Sequence, residues 1–397
     1  MDDNCQIDEA HVREPLARER QRVERGLADL TGHEDEDELA DARTGSPGSA
    51  RCARSARASR REERALRPMD RSMDAKAALD RMARSRVVLI GSATRGSDEF
   101  HRERAALTRA LITRDGSGAV AVEAGWADAE RVDRYVSGHD DDACAERALA
   151  DLQRFPAWMW RNAVVEEFVA WLRGHNDARR DRAPDVRFCG IDLHDPETPL
   201  RRDGRDYDCF AAEWLARAIR AGDEFRRWFP RWPVHAANVR ALHVADTLTA
   251  LLDHLDTRVV WAHNGHVGDA RPTELARNGE PQPRPADAPA RRRRDAARRF
   301  TTYEGTATAA RDWEAPPKRR GWRRRARAAT STCCIGAACA ARSLEPTGLP
   351  GDRLERGIGG VYREGEEPAV NYFGARIGEQ FDVLIHIDET HAVTALD

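Results

Sequence analysis

The stretch VVLIGSATRGSDEFHRERAALTRALI, residues 87–112, decides the fold. Its first four residues form an apolar run of strand length, and Ser97 followed by Asp98 and Glu99 is a helix start. Phe100, Leu107 and Leu111 then continue a helical stripe. The segment therefore reads as strand, loop and helix. The same texture recurs downstream. AVAVE (119–123), VRFCGID (186–192), VVWAH (259–263) and FDVLIHI (381–387) read as further strands. Helices are expected between them over 143–153, 157–174, 207–227 and 236–255, with another carrying Ala129, Val132 and Val136 inward. Strands alternating with helices predict an α/β protein, three-layer α/β/α around a mainly parallel sheet. The tryptophans of 157–174, Trp158, Trp160 and Trp171, read as core residues.

Residues 1–83 read as a peripheral N-terminal segment, partly disordered, with a single plausible helix on the stripe Leu16, Val23, Leu27 and Leu30. The α/β domain is expected over 84–397. Two stretches lack helical or strand periodicity, PQPRPADAPARRRRDAARR (281–299) and the Arg-rich text of 315–349, and they read as irregular.

The chain has 397 residues and a net charge of −3, from 65 Lys+Arg against 68 Asp+Glu, so no global field selects nucleic acid or anionic lipid. Lys76 and Lys318 are its only lysines. Aromatics are nearly absent from the basic runs Arg291–Arg294 and Lys318–Arg327, and the rest of the chain offers no recognisable nucleic-acid module, so no nucleic-acid partner is expected. No apolar run approaches membrane-spanning length, and the acidic start MDDNCQIDEAH is unlike a signal peptide, so a cytoplasmic protein without membrane contact is expected. The eight cysteines form no paired CxxC units and read as reduced thiols rather than metal ligands.

In an open α/β sheet, ligands bind beyond the carboxyl ends of the strands. Those ends carry the loop Gly91–Ser97, then Glu123, then Asp192 and His194, then His263 and His266, and last His386 and Asp388. Any one of these is more often a cap or turn residue. Their recurrence at one end of strand after strand favours a site. The loop lacks a Walker lysine, a GxGxxG spacing and a GxSxG elbow, so neither phosphate binding nor a serine nucleophile is expected.

The 87–112 block, followed by AVAVEAGWADAERVDRYVSG, RFPAWMWRNAVVEEFVAWLRGHN, RFCGIDLH, VVWAHNGHVGDARPTE, TYEGTATAARDWEAP, RLERGIGGVYR and YFGARIGEQFDVLIHIDET, resembles the erythromycin esterase family from about residue 84 to the C-terminus. The resemblance implies a hydrolase of carboxylic esters, typified by macrolide lactones, that uses water without a covalent intermediate, metal or other cofactor. A small-molecule ester is the implied partner. Family members carry a GEATHG-like loop whose histidine acts as general base, and those glutamate and histidine positions are Ser92 and Arg95 here. Arg104, Glu123, His263 and His266 match the family's other site positions. An arginine cannot serve as a base at neutral pH. The expectation is therefore a weakened hydrolase with His263 or His266 as base, Glu123 orienting water or imidazole, and Arg104 stabilising the oxyanion. Arg95, Ser92, Asp192 and His194 are candidate substrate contacts. The alternative is a non-catalytic protein that holds an anionic or small-molecule ligand with Arg95 and Arg104. The family's inserted helical lobe is reduced here to about residues 195–235.

Overall fold

The computed structural model of the protein describes residues 84–139, 142–193, 233–255, 257–269, 271–273, 296–322, 341–344, 352–364 and 371–396, with 80, 82, 221, 224 and 366. The stripe Leu16–Leu30, His194, Arg291–Arg294, nearly all of the expected 207–227 helix and most of the expected reduced lobe lie outside the described residues.

Among the described residues the chain runs β1 (Val88–Ile90), α1 (Asp98–Asp115), β2 (Ala119–Gly125), α2 (Trp126–Val136), α3 (Ala145–Ala148), α4 (Ala163–Asp177), β3 (Arg187–Asp192), α5 (Pro233–His254) and β4 (Thr257–Trp261). It continues through α6 (Asn264–Val267), β5 (Ala296–Ala309), β6 (Lys318–Trp322), β7 (Ala341–Leu344), β8 (Arg353–Arg356), β9 (Tyr372–Ala375), α7 (Ile377–Gln380) and β10 (Val383–Thr390). The main sheet has the order β3-β2-β4-β1-β5-β10-β7, with β6 added to β5, and only β6 and β7 pair antiparallel. A separate antiparallel pair, β8 and β9, completes the strands.

The strand period of two sorts each apolar run onto both faces. Val88, Ile90, Val120, Val122, Phe188, Val259 and Trp261 pack with Phe100, Leu111 and Ile112 of α1, Val132 of α2 and Phe168 of α4. The residues between them, Leu89, Ala119, Ala121, Val260 and Ala262, pack on the other face with Ala245, Leu248 and Leu251 of α5. The sheet is thus covered on both sides, as the alternation of strands and helices predicts. No helix among the described residues is long and apolar enough to cross a membrane.

Three expectations need correction. The expected 143–153 helix is only α3 followed by a 3-10 turn, Leu149–Asp151. The expected 157–174 helix begins later, because the Asn162 side chain accepts from the Val164 and Val165 amides and caps α4 there. The stretches read as irregular are also not wholly so, since β5 starts inside the first and β6 and β7 lie inside the second. β5 is hidden because Arg298 and Arg299, both fully buried, interrupt the apolar run that a buried strand usually shows. Arg299 is compensated by an ion pair with the equally buried Glu355 of β8 and lies 5.4 Å from the Phe381 ring centroid. β6 is hidden by its charges, which suit a peripheral strand.

β5 pairs with β1 only through Ala296–Arg298 and then runs beyond the end of β1, still paired with β10 and β6, to where the Thr308 amide donates to the Gly96 carbonyl at 2.9 Å. Residues after β10 fasten the same loop: the Asp98 amide donates to the His391 carbonyl and the Val393 amide to the Gly96 carbonyl, at 2.8 and 2.9 Å. Removing one member of a buried ion pair leaves an uncompensated charge. Glu355→Leu should therefore lower stability by about 3–5 kcal/mol, read as a fall in the urea midpoint, and a change under 1 kcal/mol would refute the burial of Arg299.

Candidate active site

The neighbours β3, β2, β4 and β1 are mutually parallel, so their carboxyl ends stand side by side along one edge. The chain leaves β1 toward β2 and leaves β4 toward β5 on β1's other flank, which makes this edge a topological switch point. The loop after β1 is drawn in tightly, since a side chain on Gly91 would overlap the Asn264 amide oxygen.

Glu123, near the end of β2, is the centre. Its side chain is 3% exposed, and burial alone would raise its pKa. Arg95, His266 and Arg240 reverse that and hold the carboxyl well below its ordinary range. Oε1 pairs with Arg95, with Arg240 Nη2 at 3.0 Å and with His266 Nε2 at 3.2 Å. Oε2 accepts from the His263 amide at 2.7 Å. One carboxylate thus ties the β1 loop, α5 and the turn after β4 together. Below it, between the sheet and α5, lies a cavity of about 20 Å³ lined by Leu89, Val244, Leu248 and Val260, with Glu123, Arg240 and His266 also on its wall. That is room for about one water.

The two histidines, alike in sequence, differ in setting. His263 caps α6, with Nδ1 accepting from the Gly265 amide at 3.3 Å. Its lone pair is therefore engaged, its proton is on Nε2, and burial together with Arg95 pushes its pKa down to about 3. His266 is 19% exposed. Because a carboxylate only accepts, the Nε2 facing Glu123 carries a proton, and in the neutral ring the lone pair is then on Nδ1.

Arg104 does not face the cleft. It is fully buried on α1, donating from Nε to the Gly91 carbonyl at 3.1 Å and from Nη2 to the Ala262 carbonyl, so it bolts the ends of β1 and β4 together. Burial lowers its pKa to about 9, against Glu123, which leaves it charged at neutral pH. The Ser92 hydroxyl donates to the Thr94 carbonyl within its own loop. Asp192 is buried and binds Arg240, at 2.6 Å to Nε and 2.5 Å to Nη2. Arg95 is 14% exposed and reaches Met159 Sδ at 3.0 Å as well as Glu123.

Sequence reasoning missed Arg240, which bridges Asp192 and Glu123, and Trp160, whose indole donates to the Glu123 carbonyl at 3.2 Å. Arg240 could have been found as the one cation on the apolar stripe that continues through Val244, Leu248 and Leu251. Among the described residues no three of His, Cys, Asp and Glu converge as metal ligands would.

The sequence profile of the family described as erythromycin esterase matches residues 112–207 and 195–390, well over half of the chain. The chain belongs to the erythromycin esterase family. Three solved structures share the fold of this erythromycin esterase family member. One is a Bacillus cereus protein, with a TM-score of 0.68 at 14% identity over 86% of this chain and 99% of that one. A second, a succinoglycan biosynthesis protein, has a TM-score of 0.67 at 15% identity over 88% of this chain and 100% of that one. A third is a mutant erythromycin esterase in its open conformation, with a TM-score of 0.58 at 14% identity over 80% and 94%. At such identities the likeness is one of fold.

The low pKa of His263 makes the site acid-labile. The unfolded imidazole takes its proton near pH 6.5, and the folded one only near 3. The stability that neutral His263 contributes is complete above pH 6.5 and is lost as pH falls toward 3. His101 on α1, also at about 3 through burial and Arg104, adds a second proton. Each contributes a slope of about 1.4 kcal/mol per pH unit. His263→Asn keeps a capping side chain, and it should remove about half of the decline in urea midpoint between pH 6 and pH 4. An unchanged slope would mean His263 is solvated.

Proposed function

We propose that this chain hydrolyses small-molecule carboxylic esters by attack of a water whose proton passes to His266 Nδ1, at a rate held down by Arg95. The observation that carries the reading is the contact of His266 Nε2 with Glu123 at 3.2 Å, in a side chain still partly open to solvent. The carboxylate fixes the tautomer and stabilises the imidazolium that forms, the role a buried acid plays beside a catalytic histidine. His263 fits a cap instead, with its lone pair engaged and its protonated form disfavoured.

Arg95 pairs with Glu123 and so neutralises part of the charge that would support that imidazolium. Arg240, held by Asp192, acts in the same sense while fixing the carboxylate in place. Arg104 supports the site as a strut between β1 and β4 rather than as an oxyanion donor. The competing reading, an anion binder built on Arg95 and Arg104, finds less support because their donors are already committed to Glu123, Met159 and two backbone carbonyls. A macrolide lactone, in a cytoplasmic setting, remains the substrate type that the family suggests.

Hydrolysis of p-nitrophenyl acetate and of a macrolide lactone tests this. His266→Ala should lower kcat/KM by about 10²- to 10⁴-fold, the worth of a positioned base. His263→Asn should cost less than tenfold, and Arg95→His should raise turnover. Undiminished hydrolysis by His266→Ala would sink the assignment.

A further inference from the structure

Apart from the candidate active site, a second cleft of about 350 Å³ opens between the start of β6 and the residues that follow β10. That volume is in the range of small-molecule pockets. Its lining combines the polar residues Thr308, Lys318, Arg319 and His391 with the apolar Pro317, Val393 and Ala395.

The wall formed by the residues after β10 is fixed by its own hydrogen bonds. Three successive amides are committed: His391 donates to Glu99 Oε2 at 2.8 Å, Ala392 to Thr306 Oγ1 at 3.0 Å and Val393 to the Gly96 carbonyl at 2.9 Å. The Thr308 hydroxyl adds a bond to the Val393 carbonyl at 3.1 Å. A cleft whose backbone is already held loses little entropy when a ligand arrives.

The charges in this cleft, by contrast, are unspent. Arg319 stands opposite Thr308 in the β5–β6 ladder, so the two side chains share a face. Arg319 and Lys318 are both exposed, and among the described residues neither meets a carboxylate. Other surface arginines are paired, as Arg102 is with Asp98 and Arg363 with Asp312. Glu99, beside the cleft, is taken by His391: a carboxylate only accepts, so Nδ1 donates to Oε1 at 2.7 Å. The lining thus holds two uncompensated cations and no carboxylate.

We propose that this cleft binds a small organic dianion, an apolar body carrying a phosphate monoester. Two cations match the charge of the head, and the planar guanidinium of Arg319 reaches two of its oxygens at once while the Lys318 ammonium serves as a point charge. Pro317, Val393 and Ala395 receive the body. Inorganic phosphate would leave that apolar surface uncovered, and a neutral ring would leave both cations without counter-charge. Thr308 and Val393 line the cleft, and the amides of both donate to the carbonyl of Gly96, the residue after Arg95. A ligand that bridges β6 and the segment after β10 therefore also steadies the β1 loop. Binding here requires no turnover, so it stands or falls apart from the hydrolase reading.

Titration calorimetry with phenyl phosphate, inorganic phosphate and phenol tests the site. Phenyl phosphate should bind wild type at least tenfold more tightly than either of the others. Arg319→Ala should weaken it about tenfold, Arg319→Lys should keep part of the affinity, and Lys318→Ala with Arg319→Ala should remove detectable binding. Both positions are exposed, so these variants should fold as wild type does. At a phenyl phosphate concentration ten times Kd, hydrogen exchange at the Thr308 and Val393 amides should slow about tenfold. Equal binding by wild type and the double variant would put the anion elsewhere and overturn the proposal. So would phenol or inorganic phosphate binding as tightly as phenyl phosphate, or unchanged exchange at both amides.

Discussion

A buried carboxylate at the end of β2 sets the terms for everything around it. Taking an ionised Glu123 out of water costs several kcal/mol unless cations and amide donors compensate it. The four groups that do so, on Arg95, Arg240, His266 and the His263 backbone, come from three separate parts of the chain. They arrive from the loop after β1, from α5 and from the turn after β4. The order β3-β2-β4-β1 and the seating of α5 across them are thus fixed by one charge as much as by the apolar faces of the sheet.

That arrangement also explains why a guanidinium is tolerated where a base would be expected. Arg95 reaches the carboxylate from the β1 loop, and that contact draws the loop inward. The same contact that holds the loop draws charge away from His266. In the proposed hydrolysis, structural support and catalytic power therefore compete for one carboxylate oxygen, Oε1.

The strands with plain apolar runs were legible in the sequence, as was the clustering of Glu123, His263 and His266 at one edge. What the sequence hid was polar residues in apolar positions. Arg298 and Arg299 sit buried in a central strand, and Glu355, more than fifty residues later, meets Arg299. Arg240 sits on a helix's buried stripe because Asp192 and Glu123 wait at strand ends. Spacing alone could not separate His263 from His266 either. The difference lies in a cap to Gly265 and a reach to Glu123, both properties of the folded turn.

The fastening of the β1 loop by residues after β10 has a kinetic meaning. His391 meets Glu99 across 292 residues of sequence, and β1 itself is completed by β4 and β5 from the far half of the chain. Contacts of such separation must pay loop-closure entropy before they return anything, so folding dominated by them is slow. During synthesis the strand that founds the sheet leaves the ribosome long before its neighbours exist. Its apolar edge must stay shielded through that interval, and the loop that carries Arg95 takes its final shape only when nearly the whole sequence has been made.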